Sequence, residues 1–313
     1  MKVILHVGAH RTGTTSFQSY MRDHADDLFE QGIGFWGPNR TRKSVFPGLF
    51  RETTLGRVEK TADRVFGRVA MHLQQAADHN LTHLLVSDEN MLGTARQNQR
   101  SCQLYPAVGE RMARLHAAFD GRISRVILSL RSQDHWWASA TAMTVGRGHP
   151  VPSAQRLEEI AADPRSWRDV IIDLACALPD VDIHVMPFEQ HMGRPYDILE
   201  QAIDRPAPRD TKNHWLNRAP DLSQLRRLMV EQRGDLDAIS QRQGRMQPFS
   251  PEQIAQLRDA YADDMGWLMA GADGLAKLIT NPTRREIGNT LRTGALTEGL
   301  GHDIGQEQLA RPG

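Results

Sequence analysis

Eight residues near the start of the chain, Gly8-Ala9-His10-Arg11-Thr12-Gly13-Thr14-Thr15, follow directly on the apolar run Val3-Ile4-Leu5-His6-Val7. In a glycine-bearing turn between a strand and a helix, backbone N–H groups converge on an anion, and the helix points its positive end at it. The glycine spacing is G-x-x-x-x-G, that of a nucleoside-triphosphate loop, but Thr14 stands where such a loop carries lysine. The cation is Arg11 instead, a permanently charged planar fork suited to phosphate oxygens. Gly8 and Gly13 permit the turn and a close approach. The amides of Arg11, Thr12, Gly13, Thr14 and Thr15 are the expected donors, with two threonine hydroxyls beside them. The chemistry indicated is capture of a phosphate-like group.

Two further sets of residues complete a candidate site. Arg131 ends the apolar run Arg125–Leu130, and Ser139 lies eight residues on, about two helical turns along the helix expected from Gln133 to about Val145. Together they offer a charge and a hydroxyl to a second anion. Glu89 ends another apolar run, Leu81–Ser87, in the sequence Ser87-Asp88-Glu89-Asn90. A carboxylate there can take a proton from a reacting hydroxyl or amine. Asp88, His10 and His6 are the other bases within reach, in that order; Asp88 is expected to point away from Glu89 if strand alternation persists.

These residues have to be positioned by strands and helices in alternation. Strands are expected at Val3–Val7, Leu81–Ser87, Arg125–Leu130 and Asp182–Met186. Helices are expected from Thr14 to about Phe29, over about 65–78 and 107–119, at Gln133 to about Val145, and at Trp167–Leu178. That alternation implies a parallel sheet covered on both faces, with ligands beyond the carboxyl ends of its strands. The loop, Glu89 and Arg131 all sit at such ends. Stripes at Leu222, Leu225, Met229, Leu236 and Ile239 and at Ile254, Leu257, Tyr261, Met265 and Leu268 suggest a C-terminal helical hairpin. Trp136 and Trp137 are expected in the core, with a place beside an aromatic ligand as the alternative. Residues 37–64 read as a basic loop. The expected organisation is one domain over residues 1–270 and a polar, poorly ordered tail over 271–313.

Composition narrows the function. Lys and Arg number 38, as do Asp and Glu, so the chain has no net charge and is not expected to bind nucleic acid in general. No run approaches the about 18 apolar residues of a membrane span, and no signal peptide is expected. Cys102 and Cys176 stand far apart, which suits a reducing, cytoplasmic compartment. The 13 histidines are scattered. His79 and His83, four apart, have no companions that would make a metal site, and none is expected.

The segment His6-Val-Gly-Ala-His-Arg-Thr-Gly-Thr-Thr-Ser-Phe-Gln18, with Arg131 at a strand end and Ser139 beyond it, resembles sulfotransferases that use 3′-phosphoadenosine 5′-phosphosulfate, bacterial-type members above all. The resemblance covers about residues 1–145. It implies an α/β three-layer sandwich of P-loop type. It also implies that the loop residues Arg11 to Thr15 bind the donor's 5′-phosphosulfate and that Arg131 and Ser139 bind its 3′-phosphate. The strand-end glutamate, Glu89, resembles the base of the glutamate-type members. The family's loop has lysine at the position of Arg11, and Arg11 is expected to neutralise charge on the bridging oxygen in its place. The acceptor is a small molecule or carbohydrate with a hydroxyl or amine. A small-molecule kinase of P-loop type and a non-catalytic nucleotide-binding protein are the alternatives. The kinase is disfavoured, because Thr14 replaces the lysine and Asp88 is the sole candidate for magnesium.

Overall fold

Period-two alternation of apolar side chains along the first strand decides how the sheet is covered. In the computed structural model, which describes residues 1–50, 58–210, 212 and 215–280, this strand is β1 (Lys2–His6). Val3, Leu5 and Val7 are buried with Leu84, Val86, Val126 and Leu128 on one face. Ile4 is buried with Leu85, Ile127 and Met186 on the other. Both faces of the sheet therefore need helices against them. The first face receives Val65 and Val69 of the helix Val58–Asp78, Met112 and Leu115 of Val108–Ala118, Trp136 of Gln133–Val145 and Val170 of Trp167–Ala177. The second receives Phe17, Tyr20 and Met21 of the helix Thr14–Asp23 and Ile198 and Leu199 of Pro195–Ile203.

The sheet also contains β2 (Ile33–Trp36), β3 (His83–Ser87), β4 (Ile123–Leu130), β5 (Asp182–Pro187) and β6 (Lys277–Leu278). Its order is β2-β3-β1-β4-β5-β6, and every pairing is parallel. The fold is thus α/β, one six-stranded parallel sheet flanked by helices. Chain connections leave β1 towards β2 on one side and leave β4 towards β5 on the other. The crevice where the direction reverses lies between β1 and β4.

Several elements differ from the expectation. β2 and β6 are edge strands of four and two residues, too short for a periodic signal. The helix expected from Thr14 to about Phe29 breaks at His24 into Thr14–Asp23 and Ala25–Glu30. Helices Ala95–Ser101, Ala154–Ala162 and Pro195–Ile203 were not anticipated. Of the first C-terminal stripe only Leu222, Leu225 and Met229 lie on a helix, Leu222–Glu231, with Leu236 and Ile239 beyond its end; the second stripe lies on Pro251–Met269, and the two helices bury in different places. Leu222, Leu225 and Met229 pack with Ala142 and Val145 in a small cluster of their own. Leu257 and Leu268 join the main core. The two helices flank Gln133–Val145 and its neighbours rather than pairing with one another. Residues 1–280 form one compact unit, because β6 adds to the edge of β5 and Ile279 N–H donates to Val185 O at 2.8 Å. The remainder of the expected tail, 281–313, lies outside the described residues, as do Arg51 and Arg57 of the basic stretch. No described helix is long and apolar enough to cross a membrane.

Trp136 and Trp137 are fully buried in the main core and do not line the cavity of the candidate site. One core aromatic reaches the candidate site through hydrogen bonds. The buried Asp264 carboxylate accepts from Trp167 N–H at 3.0 Å and Arg168 N–H at 3.1 Å, capping the helix Trp167–Ala177 from outside it. The Trp167 indole N–H in turn donates to Arg131 O at 2.8 Å. Trp167→Phe keeps an aromatic ring in the core and deletes that donor, so it should cost about 1–2 kcal/mol, whereas Trp167→Ala should cost about 3–5 kcal/mol. Urea unfolding of the two variants beside the parent checks both values.

Candidate functional site

The loop after β1 is built on its neighbour. Val7 N–H donates to Ile127 O at 3.0 Å and Ala9 N–H to Ser129 O at 2.8 Å, so pairing with β4 continues past the end of the strand. The chain then turns tightly, with Thr12 Oγ1 donating to Ala9 O at 2.6 Å. Arg11 (φ 70°) and Gly13 (φ 82°) take left-handed backbone conformations. Gly13 caps the helix Thr14–Asp23 without any side-chain hydrogen bond, so the first helical amides are left to an incoming anion. A Cβ on Gly8 would lie 2.5 Å from Thr14 Oγ1, which fixes glycine at that position.

His6 lies fully buried beneath this turn. Its Nδ1 is 2.8 Å from Ser87 Oγ, and its Nε2 has no partner among the described residues. Gln18 Nε2 donates to Ser87 Oγ at 3.3 Å and to Glu89 Oε2 at 3.4 Å, tying the loop's helix to the end of β3. Burial, opposed by the Glu89 charge, pushes His6 down to about 3, so its ring is neutral.

Arg11 does not extend along the loop. Its Nε donates to Ser139 Oγ at 3.0 Å and its Nη2 to Asn217 O at 2.8 Å. The guanidinium therefore lies at the second expected anion set and not over the loop amides. Burial, with the Arg131 and Arg147 charges, pushes it down to about 10, still protonated at neutral pH. Arg131 Nη1 reaches Arg11 O at 3.5 Å, its guanidinium lies 5.1 Å from the Phe188 ring, and its Nε is 3.9 Å from Glu189 Oε1. Arg11, Arg131 and Ser139 are thus brought together from three elements.

At the end of β3 the two acids have different work. Asp88, 2% exposed, accepts from Thr41 Oγ1 at 2.7 Å, from Arg42 Nη2 at 2.6 Å and from Asn90 N–H at 2.9 Å. It faces away from the cavity, as strand alternation predicts, and its carboxylate is occupied in holding Arg42. Glu89 faces the cavity, and Oε1 accepts from Arg42 Nη2 at 2.9 Å. Burial alone would raise the Glu89 carboxyl, but its own backbone N–H and Arg42 outweigh burial and hold it below the usual carboxylate range. His10 is not free to act as a base. Tyr105 OH accepts from His10 N–H at 2.8 Å, so its own proton goes to Nδ1 at 2.9 Å. The proton on the ring is then at Nε2, which donates to Asn90 Oδ1 at 3.1 Å.

Arg11, Thr12, Gly13, Thr14, Thr15, Glu89, Arg131 and Ser139 all line one cavity of about 450 Å³. Seven arginines and a single carboxylate, Glu89, line it, with Asp88 and Glu189 behind. Net neutrality of the chain therefore conceals a strongly cationic cleft. The segment 215–217 crosses its mouth: Leu216 N–H donates to Ser16 Oγ at 3.1 Å and Asn217 Nδ2 to Thr15 Oγ1 at 3.5 Å. Arg42, Asn90 and Asn217 are lining residues that sequence reasoning passed over. Arg42 belonged to a stretch read as a loop, and Asn217 sits about 200 residues from the loop it touches. No group of three or more metal-binding side chains occurs among the described residues. Comparison with family models, curated proteins and solved structures found no match to this chain.

The lowered Glu89 carboxyl gives a pH signature. A folded-state value below the unfolded one contributes stability that is complete above about pH 4.3 and is lost as the pH falls through the folded value. Glu89→Gln should therefore destabilise by up to about 1 kcal/mol at pH 7, where the Arg42 pair is intact. The gap from the parent should narrow as pH is lowered towards 4 and below. Urea unfolding at stepped pH checks both the sign and the window.

Proposed function

We propose that this chain is a sulfotransferase that moves a sulfuryl group from 3′-phosphoadenosine 5′-phosphosulfate to an acceptor. The observation that carries the reading is the meeting, in one arginine-lined cavity, of eight residues from separate stretches of the chain. The resemblance assigns seven of those residues to the two ends of that donor and Glu89 to the base. Within the loop Arg11 to Thr15, the amides of Arg11, Gly13, Thr14 and Thr15 receive the phosphosulfate, Thr12 N–H being held by Ala9 O at 3.2 Å, and Arg131 and Ser139 receive the 3′-phosphate. Glu89 accepts the proton of the attacking group while the sulfur–oxygen bond to the phosphate breaks. Oriented amides and fixed charges supply the catalysis by holding charge that develops on the leaving phosphate.

Arg11 takes a part different from the one the loop sequence suggests. With Nε on Ser139 and Nη2 on Asn217 O, it sits with the 3′-phosphate group of residues. The bridging oxygen is left to the loop amides and the helix N-terminus. Asp88, held by Thr41 and Arg42, does not line the cavity, and this weighs against a magnesium-dependent kinase.

Titration calorimetry with adenosine 3′,5′-bisphosphate, adenosine 5′-monophosphate and magnesium ATP tests the reading. The bisphosphate should bind at least about tenfold tighter than the monophosphate, the value of one charge-assisted contact set, and Arg131→Ala should erase that preference. Tighter binding of magnesium ATP would favour the kinase. Equal binding of bisphosphate and monophosphate would remove the 3′-phosphate assignment.

A further inference from the structure

We infer that the group sulfated in this cavity is a hydroxyl and not an amine, and that Asn90, beside Glu89, distinguishes the two. The inference rests on the sulfotransferase reading and narrows its acceptor.

The orientation of the Asn90 amide follows from the network behind it. Tyr105 OH has one proton and meets His10 N–H, which donates to it, and His10 Nδ1; Nδ1 is the one acceptor for that proton among the described residues, so the proton lies there. His10 then carries its proton on Nε2 and gives it to Asn90 Oδ1. Tyr105 is completely buried and His10 nearly so, which keeps water from offering another arrangement. With Oδ1 engaged, Asn90 turns its NH₂ the other way. That group has no partner among the described residues, and Asn90 lines the cavity next to Glu89. The main chain of Asn90 is fixed as well, its N–H on Asp88 Oδ1 at 2.9 Å and its carbonyl accepting from Arg111.

Side by side in the short turn Glu89–Met91, the protein thus presents a carboxylate that only accepts and an amide group that only donates. A hydroxyl satisfies both at once, giving its proton to Glu89 and accepting from Asn90 through its oxygen. A neutral amine has one lone pair, which the attack on sulfur uses, and an ammonium group has none, so neither can also accept from Asn90. The ammonium group would also have to enter a cleft lined by seven arginines, one of which, Arg42, lies 2.9 Å from the same Glu89. Like-charge repulsion there disfavours protonated amines before any contact forms.

The test uses the full chain and labelled donor with matched acceptors: 4-nitrophenol against 4-nitroaniline, 2-phenylethanol against 2-phenylethylamine, and glucosamine, with oxygen and nitrogen products resolved by mass spectrometry. Label should enter the hydroxyl member of each pair and the oxygens of glucosamine. Asn90→Ala, which keeps every main-chain bond of that residue, should raise the acceptor KM about tenfold, as for one lost hydrogen bond, with a smaller change in kcat. Asn90→Asp keeps the bond from His10 and reverses the donor, so it should abolish transfer to hydroxyls. Nitrogen NMR should find His10 bare at Nδ1 and protonated at Nε2. Faster labelling of amines, an unchanged KM in Asn90→Ala, or the opposite His10 tautomer would each overturn the inference. So would the absence of transfer to any hydroxyl by a protein that binds the bisphosphate. Failure to bind the bisphosphate at all overturns the sulfotransferase reading and this inference with it, and calorimetry alone detects that.

Discussion

The site depends on β1 being hydrogen-bonded on both sides by parallel neighbours. Leu5 and His6 pair with Val86 and Ser87 of β3 and with Val126 and Ile127 of β4, so all three strands point the same way. Adjacent strands lie about 4.8 Å apart, so three consecutive strand ends span about 10 Å. That is the scale of a ligand with two anionic ends and a reacting group. Glu89 and Arg131 come from opposite sides of the loop, and parallel pairing is what brings both to its edge. An antiparallel β3 or β4 would have placed one of them at the far end of the sheet.

Charge is concentrated at that edge against its own repulsion. Arg11 is crowded by Arg131 and Arg147, and burial adds to the strain by depressing its affinity for a proton. Arg131 is likewise lowered by burial, only partly offset by Glu189. On the other side of the loop the arrangement is compensated. Asp88, buried and fully hydrogen-bonded, fixes Arg42, and Arg42 holds Glu89 ionised. One flank of the cavity thus carries uncompensated positive charge, and the other a carboxylate that its arginine partner keeps ionised.

Much of this was legible in local sequence. The strand, loop and helix around Gly8–Thr15 follow one another within a single element pair, so apolar run, glycines and helix start suffice to read them. Glu89 and Arg131 were legible because a buried strand must end in something polar. Asp88 facing away from Glu89 follows from the two-residue period of a strand. What could not be read depends on contacts across long separations. The bond from Arg11 to Ser139 joins residues 128 apart, and its partner Asn217 is 206 residues away. β2 and β6 escaped because strands of four and two residues carry almost no periodic signal. The C-terminal stripes were read as a pair because each is amphipathic. Amphipathicity states that a face is buried, not against which element, and here the two faces went to different clusters.

That the loop's cation is an arginine decides, by reach and shape, where its charge lies. A lysine would place a compact charge at the end of a flexible stem, free to follow a leaving oxygen. An arginine needs planar, directional partners, and the nearest lie on the helix Gln133–Val145 and the segment 215–217, at Ser139 and Asn217. The backbone at Arg11 is left-handed where the side chain sets off towards them. There its charge adds to that of Arg131 at the end of the cavity assigned to the 3′-phosphate. On the proposed reading, the reacting end then relies on neutral, oriented dipoles: loop amides, the helix N-terminus and the threonine hydroxyls. Such dipoles are already aligned before the reaction begins, and they suit a sulfuryl transfer in which charge moves onto a phosphate that the same amides bind in the product.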